Sequence, residues 1–153
     1  MGRATSPVVG VALLIALTVL AATAVGTAVF ALDPPSPAPT ASFSLSVDAD
    51  SDRLSLSHRG GDSLPIDDLR LLVEVDGTAL AHQPPVPFFA AEGFRSGPMG
   101  PFNSADDGSW TAGERGTVRL ATTNAPRPER GDPVTVRIVV DDAVVTTVRG
   151  VAA

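Results

Sequence analysis

An uninterrupted apolar segment near the N-terminus constrains this chain more than any other feature. Residues 7–32 read PVVGVALLIALTVLAATAVGTAVFAL and carry no charge. As an α-helix rising 1.5 Å per residue, the segment would be about 39 Å long, enough to cross a hydrocarbon core of about 30 Å. Ser6 suits the N-cap position and Pro7 the first helical position. The sequence therefore predicts a transmembrane helix over residues 7–32.

A cleavable signal peptide is the alternative interpretation of this segment. Signal peptides have an apolar core of roughly 7–15 residues, shorter than the one here. Ala22-Thr23-Ala24 nevertheless has the small residues of a signal-peptidase site. Arg3 is the only cation near the helix, and flanking cations favour the cytoplasmic side of a membrane. For a retained helix we therefore expect a cytoplasmic N-terminus and an extracellular C-terminal domain.

The charged residues lie almost entirely after the apolar segment. The chain has 11 Arg and no Lys, 13 of its 17 acidic residues are Asp, and the net charge is −6. Such a surface is typical of salt-adapted proteins, although a GC-rich genome would produce the same Arg bias. The negative balance argues against a nucleic-acid partner, because phosphate contacts need clustered cations. The absence of cysteine excludes disulfides, thiolate metal sites and thiol catalysis.

Small residues recur along the predicted helix. Gly10, Ala12, Ala16, Ala22 and Gly26 lie among several pairs of small residues four positions apart. Small side chains allow apolar helices to approach closely and associate. Such spacings also arise by chance in any Ala-rich helix. We treat these five residues as candidate helix-packing positions.

The start of the chain resembles a known protein family. Residues 3–22, RATSPVVGVALLIALTVLAA, are similar to the N-terminal segment of archaeal type IV pilins, especially haloarchaeal ones. The resemblance covers roughly residues 2–32. It implies a short leader, residues 1–6, that a prepilin peptidase cuts between Gly2 and Ala4, around Arg3. It also implies that the retained helices pack into a filament core. Unlike bacterial pilins, this chain has no Glu near the start of the helix.

A proline-rich segment separates the helix from the rest of the chain. Residues 33–40 contain four prolines. Proline lacks a backbone N–H and fixes φ, so this composition favours an extended polyproline II spacer. We expect the helix to end near Leu32 and a head domain to occupy residues 41–153.

The head shows the period-two alternation of half-buried strands. Apolar and polar residues alternate in six segments, marked by Phe43, Leu45 and Val47; Leu54 and Leu56; Leu69, Leu71, Val73 and Val75; Val118 and Leu120; Val134, Val136, Ile138 and Val140; and Val144, Val145 and Val148. Turns are predicted at Asp76-Gly77, Asp141-Asp142 and Gly60-Gly61-Asp62. The strand–Gly-Gly-Asp–strand pattern also resembles haloarchaeal pilin and archaellin-like heads. Six to eight short strands favour an antiparallel, immunoglobulin-like β-sandwich.

Candidate catalytic and metal sites are few. Asp48, Asp50 and Asp52 are spaced like ligands of a calcium loop, but Arg stands at the sixth and twelfth positions of that loop. A solvated acidic turn is the favoured interpretation, and a weak calcium site the alternative. His58 and His82 lie in different segments, and no Ser is framed as a nucleophile elbow. We therefore expect a protein that is not an enzyme and needs no cofactor or small-molecule substrate.

One long segment concentrates the aromatic residues. Residues 83–115 have no periodicity, yet they contain five of the seven aromatic side chains, namely Phe88, Phe89, Phe94, Phe102 and Trp110. Long loops are usually functional or disordered, and a disordered loop would not concentrate aromatics. Two interpretations stay open. The segment folds over its own sandwich, or Phe88, Phe89 and Phe94 contact another subunit or partner.

These features favour a type IV pilin-like, membrane-anchored surface protein. In this interpretation the chain is a structural subunit of a surface filament for adhesion or surface contact, and it associates with other pilin-like subunits. The alternative is a tethered monomer whose extracellular head binds a partner or supports the envelope without polymerising. A third interpretation is a soluble exported protein released by signal peptidase. The N-terminus of the mature protein distinguishes the three.

Overall fold

A computed structural model describes residues 5–30 and 37–153 of the chain. These residues belong to two compact units, a helical one at the N-terminus and a mainly β one, the head, over residues 38–153. The predicted cleavage region, Gly2, Arg3 and Ala4, lies outside the described residues. The same holds for residues 33–36 of the predicted linker.

The N-terminal unit contains one helix, α1, Thr5–Phe30 (26 residues). Ala and Leu, which favour helix, are frequent along it, and no proline interrupts it beyond its first turn. Pro34 and Pro35 follow in the sequence, and consecutive prolines cannot continue a helix. The predicted N-terminal helix is confirmed, with its start two residues earlier than expected.

The head contains nine strands in its described residues. They are β1 Ala41–Asp48, β2 Arg53–Gly61, β3 Leu64–Pro65, β4 Leu69–Val75, β5 Thr78–Ala79, β6 Ser109–Trp110, β7 Arg115–Arg119, β8 Pro133–Val140 and β9 Ala143–Val151. The six longer strands coincide with the six alternating segments of the sequence. The other three are two residues each, too short to produce a periodic pattern.

The strands form three antiparallel sheets that share one core. The sheet orders are β1-β2-β7, β5-β4-β8-β9 and β3-β6. The inner faces of the two larger sheets bury alternate apolar residues, such as Leu54 and Leu56 on β2 and Val136 and Ile138 on β8. At one edge β1 also contacts β9. The antiparallel, mainly β fold predicted from the sequence is confirmed.

Two predicted hairpin turns are also confirmed. Both central residues have positive φ in each turn, 48° and 74° for Asp76 and Gly77, and 48° and 65° for Asp141 and Asp142. This is the pattern of a type I′ turn, whose twist matches that of the flanking strands. The first turn joins β4 to β5, and the second joins β8 to β9.

The predicted turn at Gly60-Gly61-Asp62 is wrong. β2 continues through Gly61, which pairs with Ala41 of β1. Gly61 has a φ of 104°, and a Cβ there would overlap the carbonyl of Thr40. The Asp62 carboxylate accepts a hydrogen bond from the Thr40 N–H at 2.9 Å, so it bonds across the strands and not within a turn. Glycine is required here by the close approach of a neighbouring strand.

The long aromatic segment packs onto its own head. Phe102 and Trp110 are fully buried, with ring centroids 4.9 Å apart, and Phe88 and Phe94 are 5% and 6% exposed. Phe89 alone among the five is exposed, at 63%. The first of the two interpretations therefore describes the segment. The expectation of a contact surface has to be corrected for Phe88 and Phe94, because their side chains already belong to the core.

The difference in burial between Phe94 and Phe89 gives a testable prediction. We expect Phe94→Ser to lower the free energy of unfolding by about 3–5 kcal/mol, because it empties a packed site. Phe89→Ser should change it by less than about 0.5 kcal/mol. Denaturant unfolding of the full chain in detergent, followed by the fluorescence of Trp110, measures both. Equal losses in the two variants would contradict this placement.

A close approach between β7 and the aromatic segment gives a second prediction. A Cβ at Gly116 would fall on the ring of Phe102, which is fully buried and cannot move aside. Gly116→Ala should therefore destabilise the head by about 1–3 kcal/mol through overpacking. Gly60→Ala is the matched control, because its nearest neighbour, the Ser42 hydroxyl, would be 3.8 Å away. The same fluorescence measurement applies, and equal stability of both variants would contradict the packing described.

Candidate functional site

The helix exposes apolar side chains on all sides. Leu14 and Leu17 are 67% and 68% exposed, and the span Pro7–Thr27 has a mean hydropathy of 2.7 with none of it buried. A helix that is apolar all round belongs in a core or in a membrane. This span is long and apolar enough to cross a bilayer. The helix is therefore the first candidate functional element.

The threonine hydroxyls of the helix donate hydrogen bonds to backbone carbonyls one turn earlier. The Thr18 hydroxyl donates to the carbonyl of Leu14 at 2.7 Å, and the Thr23 hydroxyl donates to that of Val19 at 2.8 Å. Thr27 bonds back to Thr23 in the same way, at 3.1 Å. Such bonds allow polar side chains to lie in an apolar environment without an unsatisfied donor.

The candidate packing residues divide between two faces of the helix. At about 100° per residue, Ala12, Ala16, Ala22 and Gly26 lie within an arc of about 120°, whereas Gly10 lies on the opposite side. The arc presents small side chains over about four turns. Four of the five residues can therefore form one close-packing face, and Gly10 cannot belong to it.

The acidic turn between β1 and β2 is directed toward arginines. Asp50 pairs with Arg130 at 2.7 Å, and Asp52 pairs with Arg127 at 3.2 Å. The third carboxylate, that of Asp48, accepts a hydrogen bond from the Ser51 N–H at 3.2 Å. In the described ranges, 5–30 and 37–153, no three His, Asp or Glu side chains converge as metal ligands. The candidate calcium ligands are thus not brought to one centre.

The two histidines lie in separate environments. His58 is buried, its ring centroid is 4.6 Å from that of Phe43, and its Nε2 lies 2.9 Å from the carbonyl oxygen of Asp62. His82 lies near the surface, with Nε2 3.8 Å from a carboxylate oxygen of Glu92. His58 is therefore a core residue, and the structure does not bring the histidines together.

The outer face of the β1-β2-β7 sheet carries arginines and hydroxyls that the sequence analysis did not identify as a site. Across the β2–β7 pair, Arg53 lies opposite Arg119, Ser55 opposite Thr117, and Ser57 opposite Arg115. Two like charges directly opposite each other destabilise a strand pair. The signal in the sequence was present, as the polar half of the alternation in RLSLSHR and RGTVR, but it required knowing that these strands pair.

A cleft of about 270 Å³ borders this face. Met99 and Thr117 exchange backbone hydrogen bonds of 2.9 and 3.0 Å, and the Arg95 N–H donates to the carbonyl of Arg119 at 2.9 Å. Between these bonds the incoming chain has three residues, 96–98, against a single residue of β7, so it arches away from the strand. Arg95, Thr117 and Arg119 line the space beneath the arch, together with residues 96–99. We call this space the arginine cleft.

Comparison with known proteins shows a similarity for the N-terminal part of the chain. Residues 3–43 match the family model described as the archaeal type IV pilin N-terminal domain. No curated protein matched the chain. The matched range includes α1, the proline-rich segment and the first residues of β1, and the rest of the head lies beyond it. Residues 3–43 of this chain are therefore similar to archaeal type IV pilin N-terminal domains.

Proposed function

We propose that this chain is a pilin-like structural subunit of a cell-surface filament that mediates adhesion or surface contact. The observation that supports this most directly is the exposed apolar helix within the pilin domain. Exposed apolar surface costs about 25 cal/mol per Å² in water, so the helix requires lipid or other helices around it. Lipid would surround it in the membrane-anchored subunit, and neighbouring helices would surround it in a filament.

The proposed topology follows from charge and family. Arg3 favours a cytoplasmic N-terminus, which leaves the head outside the cell. A prepilin peptidase would then cut between Gly2 and Ala4 and leave the helix at the N-terminus of the mature subunit. The Lys-free, Asp-rich composition suits a surface exposed to high salt, which makes a haloarchaeal source part of the proposal.

A second candidate function is a tethered monomer that never polymerises. One observation favours it. The aromatic segment completes the core of its own head, and Phe89 is the only one of its five aromatic side chains that stays exposed. A head of this kind has a complete core without neighbours. It would act outside the cell as a binding or envelope-supporting domain on a single-helix anchor.

The mature N-terminus tests these functions against each other. We expect mass spectrometry of the protein from cell membranes to show a start near Ala4, because pilin processing removes only the leader. A host that lacks the prepilin peptidase is the control and should leave the leader uncut. An uncut leader in the normal host would support the tethered monomer. A start after Ala24 in a soluble fraction would contradict both functions.

Helix packing can be tested with volume-matched substitutions. Ala12→Leu with Ala16→Leu places bulk within the arc of small residues and should reduce filament yield at least about tenfold, which corresponds to about 1.4 kcal/mol. Ala21→Leu with Ala24→Leu adds the same volume on the opposite face and serves as the control. Both variants remain apolar and should stay in the membrane fraction.

Electron microscopy and quantification of filaments sheared from cells provide the measurement for these variants. Normal filament yield from the Ala12/Ala16 variant would contradict packing through this face. Equal losses in both variants would show that the helix is packed on all sides, with no preferred face.

A further inference from the structure

The charge distribution of the head points to a contact between heads. We propose that the arginine cleft binds carboxylates of a second copy of this chain, at a surface we call the acidic corner. The acidic corner consists of Asp67, Asp68, Asp141 and Asp142. This inference rests on the proposed filament function. It adds to that function a specific contact between heads, in which the arginine cleft of one copy binds the acidic corner of the next.

The arginines of the cleft have no acidic partner within the described part of the chain. Arg70, Arg127 and Arg130 each form an ion pair there, whereas Arg95 and Arg119 form none. Arg53, directly opposite Arg119, has a buried Nε without a hydrogen-bond partner. Arg53 lies opposite Asp48 on its other side, so the cations of the cleft without an acidic neighbour in register are Arg95 and Arg119. An external anion would relieve the repulsion between them.

The chemistry of the arginine side chain favours a carboxylate partner. A guanidinium group binds a carboxylate through two parallel N–H···O bonds. Arg95 and Arg119 both line the cleft and are exposed. Arg115, which donates to the Ser57 hydroxyl at 2.9 Å, lies on the same sheet face but outside the cleft lining. The cleft thus offers two guanidinium groups to a carboxylate.

The acidic corner is the complementary surface on the same head. Its four carboxylates surround one cation, Arg70, which pairs with Asp142. Asp141 and Asp142 both have positive φ, a region that Asp adopts more readily than most non-glycine residues. The other type I′ turn of the head has glycine at its second position. At this corner the two carboxylates of the β8–β9 turn and the two of Asp67 and Asp68 thus lie around a single arginine.

The two surfaces lie at opposite ends of the head. Arg119 pairs with Arg53 beside the end of β1, and there Val47 bridges Ala152 at the end of β9. The Asp141-Asp142 turn lies at the start of β9, about 30 Å away along that nine-residue strand. One head therefore cannot bring its own two surfaces together. A contact between copies would be heterologous, and such contacts repeat along a filament.

Salt restricts how this contact can work. The Debye length is about 3 Å at 1 M salt, so long-range attraction between the heads would be screened. Direct pairs partly shielded from water are screened much less. The contact therefore depends on carboxylates that enter the cleft, and reversal of charge at the cleft should abolish it.

The absence of cysteine from the chain allows a direct test by cross-linking. Ser96→Cys marks the cleft in one full-length copy, and Ala143→Cys marks the acidic corner in another. Both copies are produced together in cell membranes and treated with a short bismaleimide. We expect a covalent dimer. Adding Arg95→Glu and Arg119→Glu to the first copy should lower its yield at least about tenfold.

Charge exchange and a matched control make the test specific. Asp67→Arg with Asp68→Arg in the second copy should also abolish the dimer, and combining both reversed copies should restore it. The control is Arg137→Glu with Arg149→Glu, exposed arginines of β8 and β9, which should leave the yield unchanged. Unchanged Trp110 fluorescence in every variant verifies that the head is folded.

The outcomes separate this contact from the proposed function. Filaments without the cross-link, or a cross-link unaffected by charge reversal, would overturn the head contact and leave the filament function intact. A charge-dependent cross-link in cells that form no filament would support the contact and contradict the filament. If the cells form no filament and yield no cross-link, both the head contact and the filament function are contradicted.

Discussion

The structure depends on one constraint, the exposed apolar surface of the N-terminal helix. Leucine and valine side chains project from it on all sides between Pro7 and Thr27. Lipid and other apolar helices cover such a surface almost equally well, because lipid tails and apolar side chains are about equally apolar. On the proposed function, transfer of the helix from a bilayer to a filament core would therefore cost little solvation free energy. Close packing at small residues and contacts between heads would then decide between the two states.

The head has a surface for such contacts because its own aromatic segment completes its core. Phe102 fills the space that Gly116 leaves on β7, and Trp110 packs against Phe102 in the same core. The long aperiodic segment is thus part of the folded head. Its aromatic residues other than Phe89 stabilise the head internally. The recognition surface that we propose is formed by charged residues of the same segment and of β7.

Local sequence patterns predicted the strands and turns that depend only on residues close in sequence. The alternation in Leu69–Val75 and Pro133–Val140 indicated strands, and the two type I′ turns followed from residues that tolerate positive φ. The error at Gly61 has a long-range cause, since the neighbouring Thr40 carbonyl, and not a turn, requires glycine there. The arginine cleft was missed for the same reason. It requires the pairing of β2 with β7 and an arch in the segment after Phe94, and neither has a local signature.

The composition of the helix gives the head contact a further role. Residues 4–32 contain no ionisable side chain, so nothing charged specifies how far one helix is displaced along its neighbour. Apolar packing through Ala12, Ala16 and Gly26 tolerates more than one such displacement, because successive turns present similar small residues. A directional Arg–carboxylate contact is satisfied at a single displacement and costs free energy at any other. On our proposal, the helices supply cohesion, and the pairing of cleft and acidic corner supplies the axial register that uncharged helices cannot fix.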